Sequence, residues 1–152
     1  MSGHFLDLEQ PLLARVRALA EGLLPCGVAV MSAADYTHAG TLPTPSVLVY
    51  YDGFQAPTLR GELVTLEQEW VTVIAVDHAA NAGRGMGARD DAGPLISALL
   101  QGLFRWVPPC GSGRGGLKLG PPVGPSYSKG KAYFPLVWTW SYQFISTHCK
   151  EP

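Results

Sequence analysis

The stretch Glu69-Trp-Val-Thr-Val-Ile-Ala-Val-Asp77 limits the fold more than any other, because it is apolar on both of its faces. In an extended chain Trp70, Ile74 and Val76 point one way and Val71, Val73 and Ala75 the other. A strand of that kind belongs in the middle of a sheet covered on both sides. A glycine-rich loop separates it from Leu95, Ile96, Leu99, Leu100, Leu103, Phe104 and Val107, an apolar stripe at three- and four-residue spacing. The stripe predicts a helix over 91–106, broad enough to lie across the sheet. The rest of the chain reads as material that completes this strand, loop and helix.

Before the strand, Leu8, Leu12, Leu13, Val16, Leu19, Ala20 and Leu23 recur at helical spacing between charged residues. They predict an amphipathic helix within 5–24, with Pro11 either at its start or after a short turn. Val28 to Met31 has the texture of a short strand, and Gly40, Pro43 and Pro45 make 32–45 a loop. Ser46 to Tyr51 is a further strand, closed by the turn pair Asp52-Gly53. The stretch 56–66 is ambiguous. Too little chain separates Tyr51 from Glu67 for a helical crossover, so those two strands are expected to run antiparallel. The glycine- and proline-rich stretch 108–131 reads as an extended, mobile arm. Tyr133 to Ser146 then alternates, with Trp138, Trp140, Tyr142 and Phe144 on one face and Thr139, Ser141 and Gln143 on the other. This order predicts an α+β fold, an antiparallel or mixed sheet with an N-terminal and a central helix packed on one face.

Composition narrows the function. The 152 residues fit a single domain over 1–152, with a Gly-rich loop at 79–90 and the arm at 108–131. A formal charge of −1 gives no general attraction to nucleic acid or acidic lipid. Only 15% of residues are charged, which leaves a weakly solvated surface suited to interfaces. No apolar run approaches the roughly 20 residues of a membrane helix, and the N-terminus lacks the basic and apolar regions of a secretion signal. The expectation is a soluble, non-secreted protein that does not engage membranes. Cys26, Cys110 and Cys149 are odd in number and far apart, which suits free thiols better than a disulfide framework or a metal site.

Chemical motifs are weak. Gly83, Gly85 and Ala88 have dinucleotide-loop spacing between a strand and a helix, but Asp90 and Asp91 stand where a pyrophosphate would be repelled. A helix cap from one of those aspartates is the simpler reading. The glycines after Cys110 match the same spacing by composition alone, and no phosphate-loop lysine is present. Asp77 and His78 at a strand end could form an acid/base couple, but a strand-end pair bonded to loop backbone is the preferred reading. The aromatic strand face could stack bases but lacks basic neighbours, so core packing is preferred. No catalytic residue, cofactor site or metal site is assigned.

Taken in order, the N-terminal helix, Ser46-Val-Leu-Val-Tyr-Tyr51, Gln68 to Asp77, a variable loop, Asp91 to Pro108 and Phe134 to Phe144 resemble the tail terminator, or tail completion, proteins of long-tailed bacteriophages of the Mu-like and lambda-like kind. The resemblance covers about two thirds of the chain. It implies a non-enzymatic virion protein of the tail and neck, present in host cytoplasm during assembly. Such a protein is a ring, usually of six subunits, that caps the tail tube, stops polymerisation and faces the neck or head connector. The implied partners are further copies of the chain, tube protein and connector protein, with sheath a further candidate and DNA passing through the lumen without sequence recognition. On this reading the contact residues are Arg84, Met86 and Arg89 in the loop and Arg114, Lys118, Lys129 and Lys131 in the arm. Two other readings stay open: a head-closure or neck protein, and a small-molecule-binding or hydrolytic domain built on Asp77, His78 and the loop from Gly83 to Gly87.

Overall fold

The computed structural model describes residues 4–33, 42–78, 87–110 and 113–147, with backbone alone for 87–89. Its elements are α1 (Glu9–Ala20), β1 (Ala29–Ser32), β2 (Ser46–Phe54), β3 (Thr58–Arg60), β4 (Leu63–Asp77), α2 (Gly87–Leu103), β5 (Gly113–Leu119), β6 (Ser126–Ser128) and β7 (Lys131–Ile145). The fold is α+β. A mixed sheet runs β1-β2-β4-β7-β5, with β3 paired to β4 and β6 to β7. β1 lies parallel to β2, and the other pairings are antiparallel, including β2 with β4.

β4 is the central strand, and both it and β7 run for 15 residues, paired along their whole length. At about 3.3 Å per residue that ribbon is roughly 50 Å long, whereas the longer helix spans only about 25 Å. The ribbon therefore overhangs the helices at its β3 end. Both helices pack on the face that carries Trp70, Ile74 and Val76. Leu12, Leu13 and Val16 of α1 and Leu95, Leu99 and Leu103 of α2 meet Val47, Val49, Trp138 and Trp140 in one buried core. Burying each such side chain stabilises by roughly 1.5–3 kcal/mol relative to exposure.

Polar groups in this core are mostly satisfied. The Trp70 indole N–H donates to the Gln68 side chain (2.9 Å), whose amide donates to the Phe5 carbonyl (2.6 Å). The Trp138 N–H donates to the Thr72 hydroxyl at 3.1 Å. Gln68 and Thr72, both fully buried, thus anchor the two tryptophans.

Several boundaries differ from the sequence reading. The first helix begins at Glu9 after a turn over 5–8, which carries Pro11 within its first turn, where a missing N–H costs nothing. Asp52-Gly53 does not close β2. Gly53, at φ +98°, instead forms an irregularity that lets the strand continue to Phe54. The ambiguous stretch is a hairpin in which Arg60 pairs with Leu63 across Gly61-Glu62. Gly61 has φ +64°, the backbone a two-residue turn needs at its first central position. The second helix starts at Gly87, so Asp90 and Asp91 lie inside it, where carboxylates favour the N-terminal dipole, and neither caps it from outside. The stretch 108–131 contains β5 and β6, both paired with β7.

Candidate functional site

The sequence-predicted contact residues separate into two places. Arg84 and Met86 lie outside the described residues, and Arg89 falls in the first turn of α2. Lys129 and Gly130, at φ +51° and +76°, form the two-residue turn between β6 and β7. Lys131 follows, opposite Asp77 across the β4–β7 pair. Arg114 and Lys118 are on β5, opposite Ser141 and Thr139. Ten residues of β7 separate Lys131 from Ser141, or roughly 33 Å. The four arm cations are therefore not one basic patch: two sit at the end of the sheet where β4 leads to α2, and two on its β5 edge.

His78 is held as a strand-end residue. Its backbone N–H donates to the Gly130 carbonyl at 2.8 Å, and its ring lies 4.9 Å from that of Tyr127. Asp77 faces Lys131 and is exposed. The cleft lined by Ser126 and Tyr133 includes neither residue. Cys26 is exposed and Cys110 half-buried, its thiol 3.5 Å from the Asp7 carbonyl. Burial, with the Asp7 charge second, raises the Cys110 pKa and so favours the protonated thiol. Among the described residues no group of three or more His, Cys, Asp or Glu can hold a metal.

Two apolar surfaces stand out instead. The first is the sheet face opposite the helices, where cross-strand register aligns Tyr50 of β2, Val71 and Val73 of β4, and Tyr133, Pro135 and Val137 of β7. After β5 the segment Gly120-Pro-Pro-Val-Gly-Pro125 walls this face on one side. It is pinned by the Gly120 N–H on the Val137 carbonyl at 2.7 Å, where a Cβ on Gly120 would meet Val137 Cγ1. Between wall and sheet runs a trough made of two adjoining clefts of about 400 and 390 Å³. Val123, 53% exposed, overhangs it, and Asp52 stands at its β2 end. Burial, and then the Asp52 charge, raise the Tyr50 pKa.

The second surface is the overhanging tip. Phe5 is ringed edge-on by Tyr51, Phe54 and Tyr142 at 5.3–5.9 Å, and Tyr142 touches Phe144. Phe54, Leu59 and Phe144 carry this cluster into solvent, Leu59 at 69% exposure, and Ile145, 65% exposed, pairs with Leu63 on the other face of the same tip. Neither surface was assigned from the sequence. The signal for the trough was the two-faced apolarity of β4, which called for cover on both sides. The helices supply it on one side, and 120–125 supplies only part of it on the other.

Comparison with known proteins fits this architecture. No curated protein matches the chain at a significant level. Among solved structures the chain is similar to one from the virion of a native gene transfer agent particle, with 17% identity, a TM-score of 0.55, and coverage of 90% of this chain and 92% of that one. At that identity the likeness is one of fold. The model of the phage tail terminator proteins matches residues 1–148, nearly the whole sequence. The chain therefore belongs to the phage tail terminator protein family, and is a structural protein of the phage virion's tail.

Proposed function

We propose that the protein acts as the tail terminator itself: a ring, of six subunits on the family's pattern, that seats on the finished end of the tail tube. There it covers the surface on which the next tube ring would dock, and offers its other side to the neck or head connector. The family match over residues 1–148 carries this reading. The molecule's asymmetry supports it, because a closed ring of identical copies needs two different complementary patches on each copy. A projecting tip and a recessed trough at different places along one sheet are two such patches. No catalytic step is part of this reading.

The basic residues have subordinate parts. Lys129, Lys131 and Arg89, with Arg84 and Met86 of the loop, are proposed to face tube or neighbour. Arg114 and Lys118 are proposed to meet a neighbour or the connector. The test is tube growth in vitro: tail-tube protein polymerises with and without this chain, and lengths are read by electron microscopy. Added protein should arrest growth and appear as a cap on tube ends. Unchanged lengths with bare ends would remove the terminator reading, and binding to portal-side proteins without any effect on length would replace it with a neck role.

A further inference from the structure

We infer that the ring's repeating contact is the aromatic tip of one copy lodged in the outer-face trough of the next. This rests on the ring reading above and names the surfaces that make it.

Four observations select a second copy as the occupant. First, the trough offers an apolar seat: Val71, Ala75 and Val137 beneath it are already buried, but Val73, Tyr133 and Pro135 are half-buried and Val123 is 53% exposed. Leaving such a face in water forfeits burial worth about 25 cal/mol per Å². Second, the tip is the matching projection. Leu59 and Ile145 stand out at the end of a ribbon longer than the helices that brace it, and each cleft of the trough exceeds the volume of either side chain. Third, charges match. Arg60, beside Leu59, and Asp52, at the trough's β2 end, make no ion pair among the described residues. Both are exposed, and docking would bring them together with opposite sign. Fourth, the surfaces are too far apart to serve each other within one chain. Along β4, Val64 at the tip and Val73 in the trough are nine residues apart, roughly 30 Å, and lie on opposite faces. A contact between unlike patches so placed is head-to-tail, and it propagates from copy to copy until the rotation closes.

The experiment uses the full chain at high concentration with native mass spectrometry, alone and with tail-tube protein. Two variants alter exposed residues: a tip variant, Leu59→Asp with Ile145→Asp, and a trough variant, Val123→Asp. Unchanged thermal midpoints show that both still fold. Wild type should give rings, and each variant alone should stay monomeric, with association weakened about tenfold or more. An equimolar mixture of the two should stop at a heterodimer, because the tip of the trough variant still fits the trough of the tip variant. In a separate pair, Arg60→Asp or Asp52→Arg should each weaken rings, and the two together in one chain should restore them. Rings formed by either variant as readily as by wild type, or a mixture with no heterodimer, would overturn this contact and leave the ring reading standing. Failure of wild type to form rings even on tube ends would overturn both.

Discussion

Arg15 ties the two helices together through one side chain. Its guanidinium donates to the Gly102 carbonyl near the end of α2, from Nε at 3.3 Å and Nη2 at 3.1 Å, and lies 5.7 Å from the Trp106 ring centroid. A cation there answers the unsatisfied carbonyls and the negative end of the helix dipole. Arg15→Ala should lower stability by about 1.5–3 kcal/mol in urea unfolding, and Arg15→Lys should recover only part of it, because the fork and the flat stacking face are lost. Glycine positions give a sharper contrast. A Cβ on Gly116 would sit 2.5 Å from the Arg105 carbonyl oxygen, a backbone atom that cannot step aside, whereas on Gly102 it would meet the end of the Leu19 side chain. Gly116→Ala should therefore destabilise more than Gly102→Ala in the same assay. The tyrosines set a pH limit. Tyr50 is raised by burial and then by Asp52, and Tyr51 by burial, so the folded state holds these protons more tightly than the unfolded chain does. That stabilisation is intact below about pH 10 and is lost as pH climbs through the raised values. Asp52→Asn should move the Tyr50 titration down in an ultraviolet pH titration.

Turns decide how the elements connect. Lys129 occupies a left-handed backbone position in the β6–β7 turn, where asparagine is tolerated far better. Lys129→Asn should raise the thermal midpoint slightly, by the few tenths to about 1 kcal/mol that relieving such a position yields. No change or a loss would mean the lysine is held by a contact of its own. The same turns explain what could be read from the sequence. Elements with a strong period, namely the two helices, β4 and β7, were legible because each buries one continuous apolar face against the same core. Hairpins made of short segments were not. β3 is a three-residue, wholly exposed strand, and β5 is rich in glycine, so neither carries an apolar period. Their pairing is dictated by Gly61 and by register against β4 and β7, which are tertiary facts. The candidate surfaces failed to appear for a related reason. The trough draws Tyr50, Val73, Pro135 and Val123 from four separate stretches, and only the register aligns them.

The whole molecule is a ribbon of two long strands, braced by helices on one face and walled along one side of the other by 120–125. That imbalance suits a part designed to be completed by neighbours. The low charge of the sequence fits too, since desolvating a weakly charged surface on assembly costs little. It also explains why basic residues divided between two ends of the sheet make a poor DNA platform. Under the proposed function this chain closes into a ring at the end of a tail tube. The most direct test is the native mass of the purified protein with tail-tube protein present, joined to negative-stain images of the same sample. Rings of one fixed subunit number, seated at tube ends, are the expected result. A protein that stays monomeric and leaves the tube ends bare would contradict it.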